Sequence, residues 1–137
     1  MAILEAHTLR FHKIGQDGSA KCNAFHTGNP DDHVLGALFE ISPSEKDHLD
    51  RVEGLNFGYD EKTVIVGEFS GAEIEAVTYY ATSLDDSLKP FCWYKNHVLV
   101  GAEETCLPAW YIKKIDEIEC MEDPDSERDT QQRAIYG

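Results

Sequence analysis

Residues 42–54 read SPSEKDHLDRVEG, and this stretch predicts one helix among segments that are typical of β-strands. Ser42 and Glu45 have the spacing of a capping box, in which each side chain bonds the backbone N–H of the other residue. Pro43 stands at the first helical position, where its missing N–H costs nothing. Gly54 is typical of the residue that ends a helix. We therefore expect a helix that begins at Ser42 and ends just before Gly54.

Segments rich in β-branched and aromatic residues lie on both sides of this helix. Such side chains are typical of strands because they pack well on a pleated surface. Turn residues separate the segments, for example Asp17-Gly18 in the first connection and Ser70-Gly71-Ala72 in the last. The five predicted strands cover residues 6–12, 21–26, 33–41, 63–69 and 74–80.

Two more helices are predicted after the last strand. Trp93, His97 and Val100 recur at the i, i+4, i+7 spacing of one helix face. A second short helix is expected to begin at Pro108. The fold class is therefore α+β, with strands in a small mixed or antiparallel β-barrel and short helices on its flanks.

Length and composition indicate one domain. The chain has 137 residues, 42% of them hydrophobic, which suits one core, since domains of ~100–150 residues are the commonest. We expect residues 1–119 to form this domain and residues 120–137, which are polar and acidic, to be a flexible tail. We also expect a cytoplasmic protein, because the sequence has neither a ~20-residue apolar run nor a secretory leader.

The net charge argues against two classes of partner. The chain has 26 acidic and 12 basic residues, for a formal net charge of −14. Such a chain repels phosphate backbones and anionic membrane surfaces at long range. We therefore expect neither nucleic acid nor a membrane as a partner.

The cysteines and histidines indicate no metal site. No two cysteines have C-x-x-C spacing, and none has a histidine at the spacing of a zinc ligand. We expect free buried thiols in a reducing compartment. The four cysteines are Cys22, Cys92, Cys106 and Cys120.

Glu53 is the candidate for acid–base chemistry. It ends the predicted helix, where the macrodipole is negative and a carboxylate is unfavourable. If the side chain is also partly buried, both effects raise its pKa towards neutrality, as a group that takes and returns protons near pH 7 requires. From the residues alone, a solvated glutamate before a helix-ending glycine is the better interpretation.

Aromatic side chains gather in the last third of the chain. Core packing is their simplest interpretation, because aromatic residues dominate the interiors of small domains. A tyrosine hydroxyl in this cluster can still face a pocket, and composition does not decide it. The cluster comprises Phe91, Trp93, Tyr94, Trp110 and Tyr111.

Several short motifs follow one another in a characteristic order along the chain. They are Val34–Ile41, Leu49–Gly54, Tyr59, Val100-Gly101-Ala102 and Leu107-Pro108-Ala109-Trp110-Tyr111. In this order, and over roughly residues 6–118, the chain resembles the γ-glutamylcyclotransferase family of the AIG2-like superfamily. The most specific part is Leu-Asp-x-x-Glu-Gly combined with the later Leu-Pro-x-x-Tyr.

This resemblance implies a small β-barrel and an enzyme that releases 5-oxoproline from γ-glutamyl amino acids or amines. The substrate's α-amine attacks its own γ-carbonyl and expels the attached amine, without a metal or an organic cofactor. The resemblance further implies that Glu53 is the catalytic acid and base, and that Tyr59 and Tyr111 bind the substrate. The implied partner is a small γ-glutamyl compound.

The sequence departs from the family in one respect. Family members begin with a strand and a Tyr-Gly-Ser-Asn loop that embraces the substrate, and this sequence lacks that motif. Such an oxyanion contact is worth about 10²–10³ in rate. We therefore expect either an N-terminally incomplete chain or a non-catalytic domain of the same fold that binds a ligand or a protein. The open barrel edge would favour a homodimer.

Overall fold

The computed structural model describes residues 1–53 and 58–136. The strands lie within residues 2–81, with one helix between the fourth and fifth strands, and the remaining helices follow them. In chain order, the elements are β1 (Ala2–Glu5), β2 (His7–Ile14), β3 (Ala20–His26), β4 (His33–Gly36), α1 (Pro43–Glu53), β5 (Tyr59–Glu68), β6 (Glu73–Ala81), α2 (Cys92–Glu104), α3 (Ala109–Asp116), α4 (Ser126–Arg133) and a 3₁₀ turn (Ala134–Tyr136).

The strands form two antiparallel sheets. One has the order β4-β1-β5-β6, and the other is the β2–β3 hairpin. Ala6 separates β1 from β2 with a φ of 61°, a left-handed conformation that is uncommon for a residue other than glycine. The Ala6 carbonyl accepts hydrogen bonds from the backbone N–H groups of Thr27 and Gly28, at 2.8 and 3.2 Å. These bonds hold the bend that carries the chain from one sheet into the other.

The predicted α+β class is confirmed, with antiparallel sheets and helices on their flanks. The strands do not close into a barrel in the part of the chain that the structure describes. β3 and β6 lie side by side at the seam between the two sheets, and a side chain bonds them there. Asn23 Oδ1 accepts a hydrogen bond from the Ala81 backbone N–H at 2.8 Å.

Three strands differ clearly from the prediction, among them β5, which begins at Tyr59 and not at residue 63. Sequence alternation begins at residue 6, and it misses β1 because that strand has just four residues. β4 ends at Gly36, whereas the prediction extended the strand to Ile41. The side chains of Leu38, Phe39 and Ile41 are exposed, so their apolar character does not report a buried strand.

The larger core cluster lies between the β2–β3 hairpin and helices α2 and α3. Its burial removes apolar surface from water and holds the helices against the hairpin. Its buried members are Phe11, Ala20, Leu35, Ala102, Leu107, Tyr111 and Ile115. A smaller cluster covers one face of the larger sheet and comprises Ala2, Leu4 and Val66.

Helix α1 begins as the sequence predicts. Pro43 is its first residue, and the Glu45 backbone N–H donates to Ser42 Oγ at 3.2 Å. The predicted end of the helix at Gly54 lies outside the described residues. No residue of α1 is fully buried, and two polar contacts attach the helix to β5 and β6: Lys46 pairs with Glu61, and Asp50 accepts from the Tyr79 hydroxyl.

The C-terminal segment contains α4, a helix that its polar composition does not predict. The side chain of Asp125 caps the helix by accepting from the Arg128 backbone N–H at 3.0 Å. Asp123 is 8% exposed and accepts from Trp93 Nε1 at 2.9 Å and from Arg128 Nη2 at 2.6 Å. The Arg128 guanidinium holds the pKa of Asp123 well below its usual range. The hydrogen bond from Trp93 of α2 to Asp123, which also pairs with Arg128 of α4, links α4 to α2.

A disulfide joins Cys92 to Cys120, so the expectation of four free thiols is wrong for these two residues. Cys22 and Cys106 are free. The pair is 28 residues apart in sequence and has no motif spacing. Its contact arises from the fold, because Met121 exchanges backbone hydrogen bonds of 2.9 Å with Cys92 and Pro90.

The described residues include no helix with the length and apolar character needed to cross a membrane.

The disulfide predicts a thiol count. In denaturant without reductant, protein purified under oxidising conditions should show two reactive thiols, and four after reduction with a dithiol. Mass spectrometry of an unreduced digest should link the peptides that carry Cys92 and Cys120. Four thiols before reduction would contradict the pairing.

The docking of α4 predicts the effect of one substitution. Asp123→Asn should lower the melting temperature and speed amide hydrogen exchange in residues 126–133, because the buried guanidinium contact loses its charged partner. Glu127→Gln is the matched control, since Glu127 is exposed and lies in the same helix. Equal exchange rates in both variants would contradict this account of α4.

Candidate active site

Glu53 is the last residue of α1, and its side chain is half-buried. Burial raises the pKa of its carboxyl group, and the positive charge of Lys13 offsets part of the rise. Partial burial disfavours the charged form of a carboxylate, which accounts for the direction of this shift. The partial burial of Glu53, on which its predicted rise in pKa depended, is therefore present.

Tyr59 begins β5 and lies close to Glu53. Its hydroxyl donates to the backbone carbonyl of Cys22 at 2.9 Å. Burial raises the pKa of the Tyr59 phenol, and the charges of Cys22 and Glu53 add to the rise. Tyr59 is thus near enough to Glu53 for the charge of the carboxylate to affect the pKa of the phenol.

Tyr111 lies in α3 and is 5% exposed. Its hydroxyl accepts a hydrogen bond from the Leu35 backbone N–H at 3.2 Å, and burial raises its pKa. Its ring lines a cavity of about 250 Å³ together with Phe11 and Lys114. Among the contacts of the described residues, none joins Tyr111 to Glu53 or Tyr59.

Tyr94 belongs to the same group, although the sequence analysis placed it merely in an aromatic cluster. Its hydroxyl accepts from the Cys22 backbone N–H at 3.0 Å and donates to Cys22 Sγ at 3.1 Å. Burial raises the pKa of the Cys22 thiol, and the nearby charge of Glu53 adds to the rise. Since 72 residues separate Tyr94 from Cys22, no local spacing could have indicated the contact.

Two lysines complete the site, and they face each other across the β2–β3 hairpin. Lys21 Nζ lies 3.0 Å from Asp17 Oδ2 and 4.5 Å from the centroid of the Tyr94 ring. Lys13 Nζ lies 4.6 Å from the centroid of the Tyr59 ring. Burial lowers the pKa of Lys13, and the charge of Lys21 lowers it further. Asp17 offsets the charge of Lys21, whereas no carboxylate among the described residues pairs with Lys13.

The arrangement is suited to moving protons. A half-buried carboxyl group of raised pKa takes a proton and returns it at a pH near neutrality. The neighbouring ammonium and phenol groups can bind polar parts of a ligand. Within residues 1–53 and 58–136, no group of three or more His, Cys, Asp or Glu side chains could hold a metal ion.

Comparison with known proteins gives consistent matches. Residues 33–115 match the model of the AIG2-like family. The chain is 35% identical over 92 residues to the γ-glutamylcyclotransferase of Bos taurus and 34% identical over 92 residues to that of Homo sapiens. Both matches cover 66% of this chain and 48% of the relative, so the chain spans about half the length of these relatives. A solved structure named γ-glutamyl cyclotransferase superposes with a TM-score of 0.83 at 26% identity, over 97% of this chain and 82% of that one.

The environment of Glu53 predicts its titration. Carboxyl carbon chemical shifts should give Glu53 a pKa above its ordinary value of 4.5, and Lys13→Met should raise this pKa further by removing an opposing positive charge. Lys113→Met, at an exposed position in α3, is the control and should leave the titration unchanged. A Glu53 pKa at or below 4.5, or one that falls in Lys13→Met, would contradict the electrostatic account of the site.

Proposed function

Because this chain belongs to the AIG2-like family, we propose that it is a γ-glutamylcyclotransferase that releases 5-oxoproline from γ-glutamyl amino acids or amines. The observation that carries this proposal is the half-buried Glu53 carboxyl group, with its raised pKa and its position beside Tyr59. The names of the matched relatives supply the reaction class.

The reaction needs two proton transfers and a folded substrate. The α-ammonium of the substrate loses two protons as it becomes the ring N–H of 5-oxoproline. The amide nitrogen at the γ-carbon gains two protons as its bond to that carbon breaks and it leaves as an ammonium ion. One carboxyl group can relay these protons one at a time, so the reaction needs no other acid or base.

We assign the relay to Glu53. As a carboxylate it accepts a proton from the α-ammonium, which frees the nitrogen lone pair to attack the γ-carbonyl. As a carboxylic acid it then gives the proton to the departing nitrogen. The raised pKa supports both roles, because it lessens the difference in proton affinity between Glu53 and the groups that it serves.

We assign substrate contacts to Tyr59 and Tyr111. Tyr59 is supported by its position, since its charge environment includes Glu53. The assignment of Tyr111 rests on the family resemblance alone. Its hydroxyl group already accepts a hydrogen bond from the Leu35 backbone N–H, so its position does not add support. A pocket wall that keeps the γ-glutamyl chain bent would bring the amine to its own carbonyl, and such positioning accounts for much of the gain in intramolecular reactions.

The proposal also includes a catalytic domain in residues 1–119, followed by a tail in residues 120–137. It further includes a cytoplasmic location for the protein. The Cys92–Cys120 disulfide is the observation that opposes a cytoplasmic location, because disulfides are rare in reducing compartments.

The proposal predicts the effect of one substitution in α1. Glu53→Gln should reduce kcat for 5-oxoproline release from a γ-glutamyl dipeptide by about 10²–10⁴-fold, the usual contribution of a general acid–base group. Asp47→Asn is the matched control, because it also turns a carboxylate into an amide in α1, at an exposed position. Activity unchanged by Glu53→Gln would overturn the assignment. A wild-type chain that binds the dipeptide and releases no 5-oxoproline would favour a non-catalytic binding domain.

A further inference from the structure

Lys13 is a buried lysine without an anionic partner. The residue is 8% exposed, and its ammonium group forms no ion pair with any carboxylate among the described residues. Residues 54–57, which lie outside them, are Gly, Leu, Asn and Phe and carry no acidic side chain. Burying an ammonium group without a paired anion is costly, so its position calls for an explanation.

A β-bulge in β2 turns Lys13 inward. The register of the β2–β3 hairpin shifts between Phe11 and Lys13, and Phe11, His12 and Lys13 are all buried. A regular strand would point successive side chains to opposite faces. Asn23 and Asp86 hold the bulged His12 through its two ring nitrogens, each at 3.0 Å. Bulges often re-aim a side chain next to an active site.

The backbone at Gly58 leaves room for the Lys13 ammonium group. Gly58 precedes Tyr59 and has a φ of 111°, which side chains other than hydrogen rarely allow. A Cβ atom at this position would lie 3.0 Å from Lys13 Nζ. The Lys13 ammonium group therefore lies against the Gly58 backbone and the Tyr59 ring, near enough to the Glu53 carboxyl group to affect its pKa but outside ion-pair distance.

Lys21 differs from Lys13 because it has an anionic partner. It faces Lys13 across the hairpin, but its ammonium group is already bound to Asp17 at 3.0 Å. Two like charges at directly opposite positions destabilise a strand pair unless an anion offsets them. The hairpin supplies that anion for Lys21 and leaves the positive charge of Lys13 available.

We propose that Lys13 binds the α-carboxylate of the γ-glutamyl substrate, an assignment that rests on the proposed function. A γ-glutamyl compound ends in a free amino-acid head, with an ammonium and a carboxylate on the same carbon atom. Glu53 and Lys13 offer the two complementary charges in one region of the site, without being paired with each other. With the carboxylate on Lys13, the α-ammonium faces Glu53, as proton removal requires. Compounds whose α-carboxylate is blocked as an amide are rejected, because Lys13 then stays buried without an anion.

The test compares two ligands that differ in one group. 5-Oxoproline carries the carboxylate, and its α-carboxamide does not, while both lack the ammonium group that Glu53 would bind. By isothermal titration calorimetry near pH 7, the wild-type chain should prefer 5-oxoproline by roughly 10- to 100-fold, the range for a hydrogen bond to a charged group. Lys13→Met should abolish this preference, whereas Lys113→Met, at an exposed position in α3, should keep it. Melting temperatures establish whether both variants fold. If Lys13→Met does not fold, Lys13→Gln takes its place.

The outcomes separate this assignment from the proposed function. A preference for the carboxylate that Lys13→Met retains would overturn the assignment. So would a wild-type chain that binds both ligands equally or binds neither. A chain that shows the Lys13-dependent preference but releases no 5-oxoproline from a γ-glutamyl dipeptide would overturn the proposed reaction and support Lys13 as a carboxylate-binding residue.

Discussion

The backbone of Cys22 is the point on which the arrangement around Glu53 depends. Tyr94 from α2 bonds its N–H, and Tyr59 from β5 bonds its carbonyl. Buried backbone groups on a strand edge must find partners, and these two come from different elements. The two hydroxyl groups therefore tie the hairpin, the larger sheet and a helix together. Because Tyr59 is also a neighbour of Glu53, the same bonds set the position of the candidate active site.

The seam between the two sheets explains why a polar site can exist in so small a fold. A continuous ladder between β3 and β6 would fill this region with paired backbone. Instead, the Asn23 side chain bonds Ala81 and His12 and holds the strands together at one point. The bulge at His12, which this asparagine supports, turns Lys13 towards the site. Stability and ligand recognition thus depend on the same few polar contacts.

Local features could be predicted from the sequence, and contacts between distant residues could not. The start of α1 was predictable because Ser42, Pro43 and Glu45 act within one helical turn. The Cys92–Cys120 disulfide depends on how the segment after α3 returns to α2. Likewise, the inward position of Lys13 depends on a register shift that the residue pattern does not contain.

The disulfide has a topological consequence. The chain from Cys92 to Cys120 forms a covalent ring that contains the whole of α2 and of α3. Tyr94 and Tyr111 both belong to this ring. If a protease cut the connection between the two helices, at residues 105–108, neither fragment would be released, and both tyrosines would remain in one covalently joined molecule.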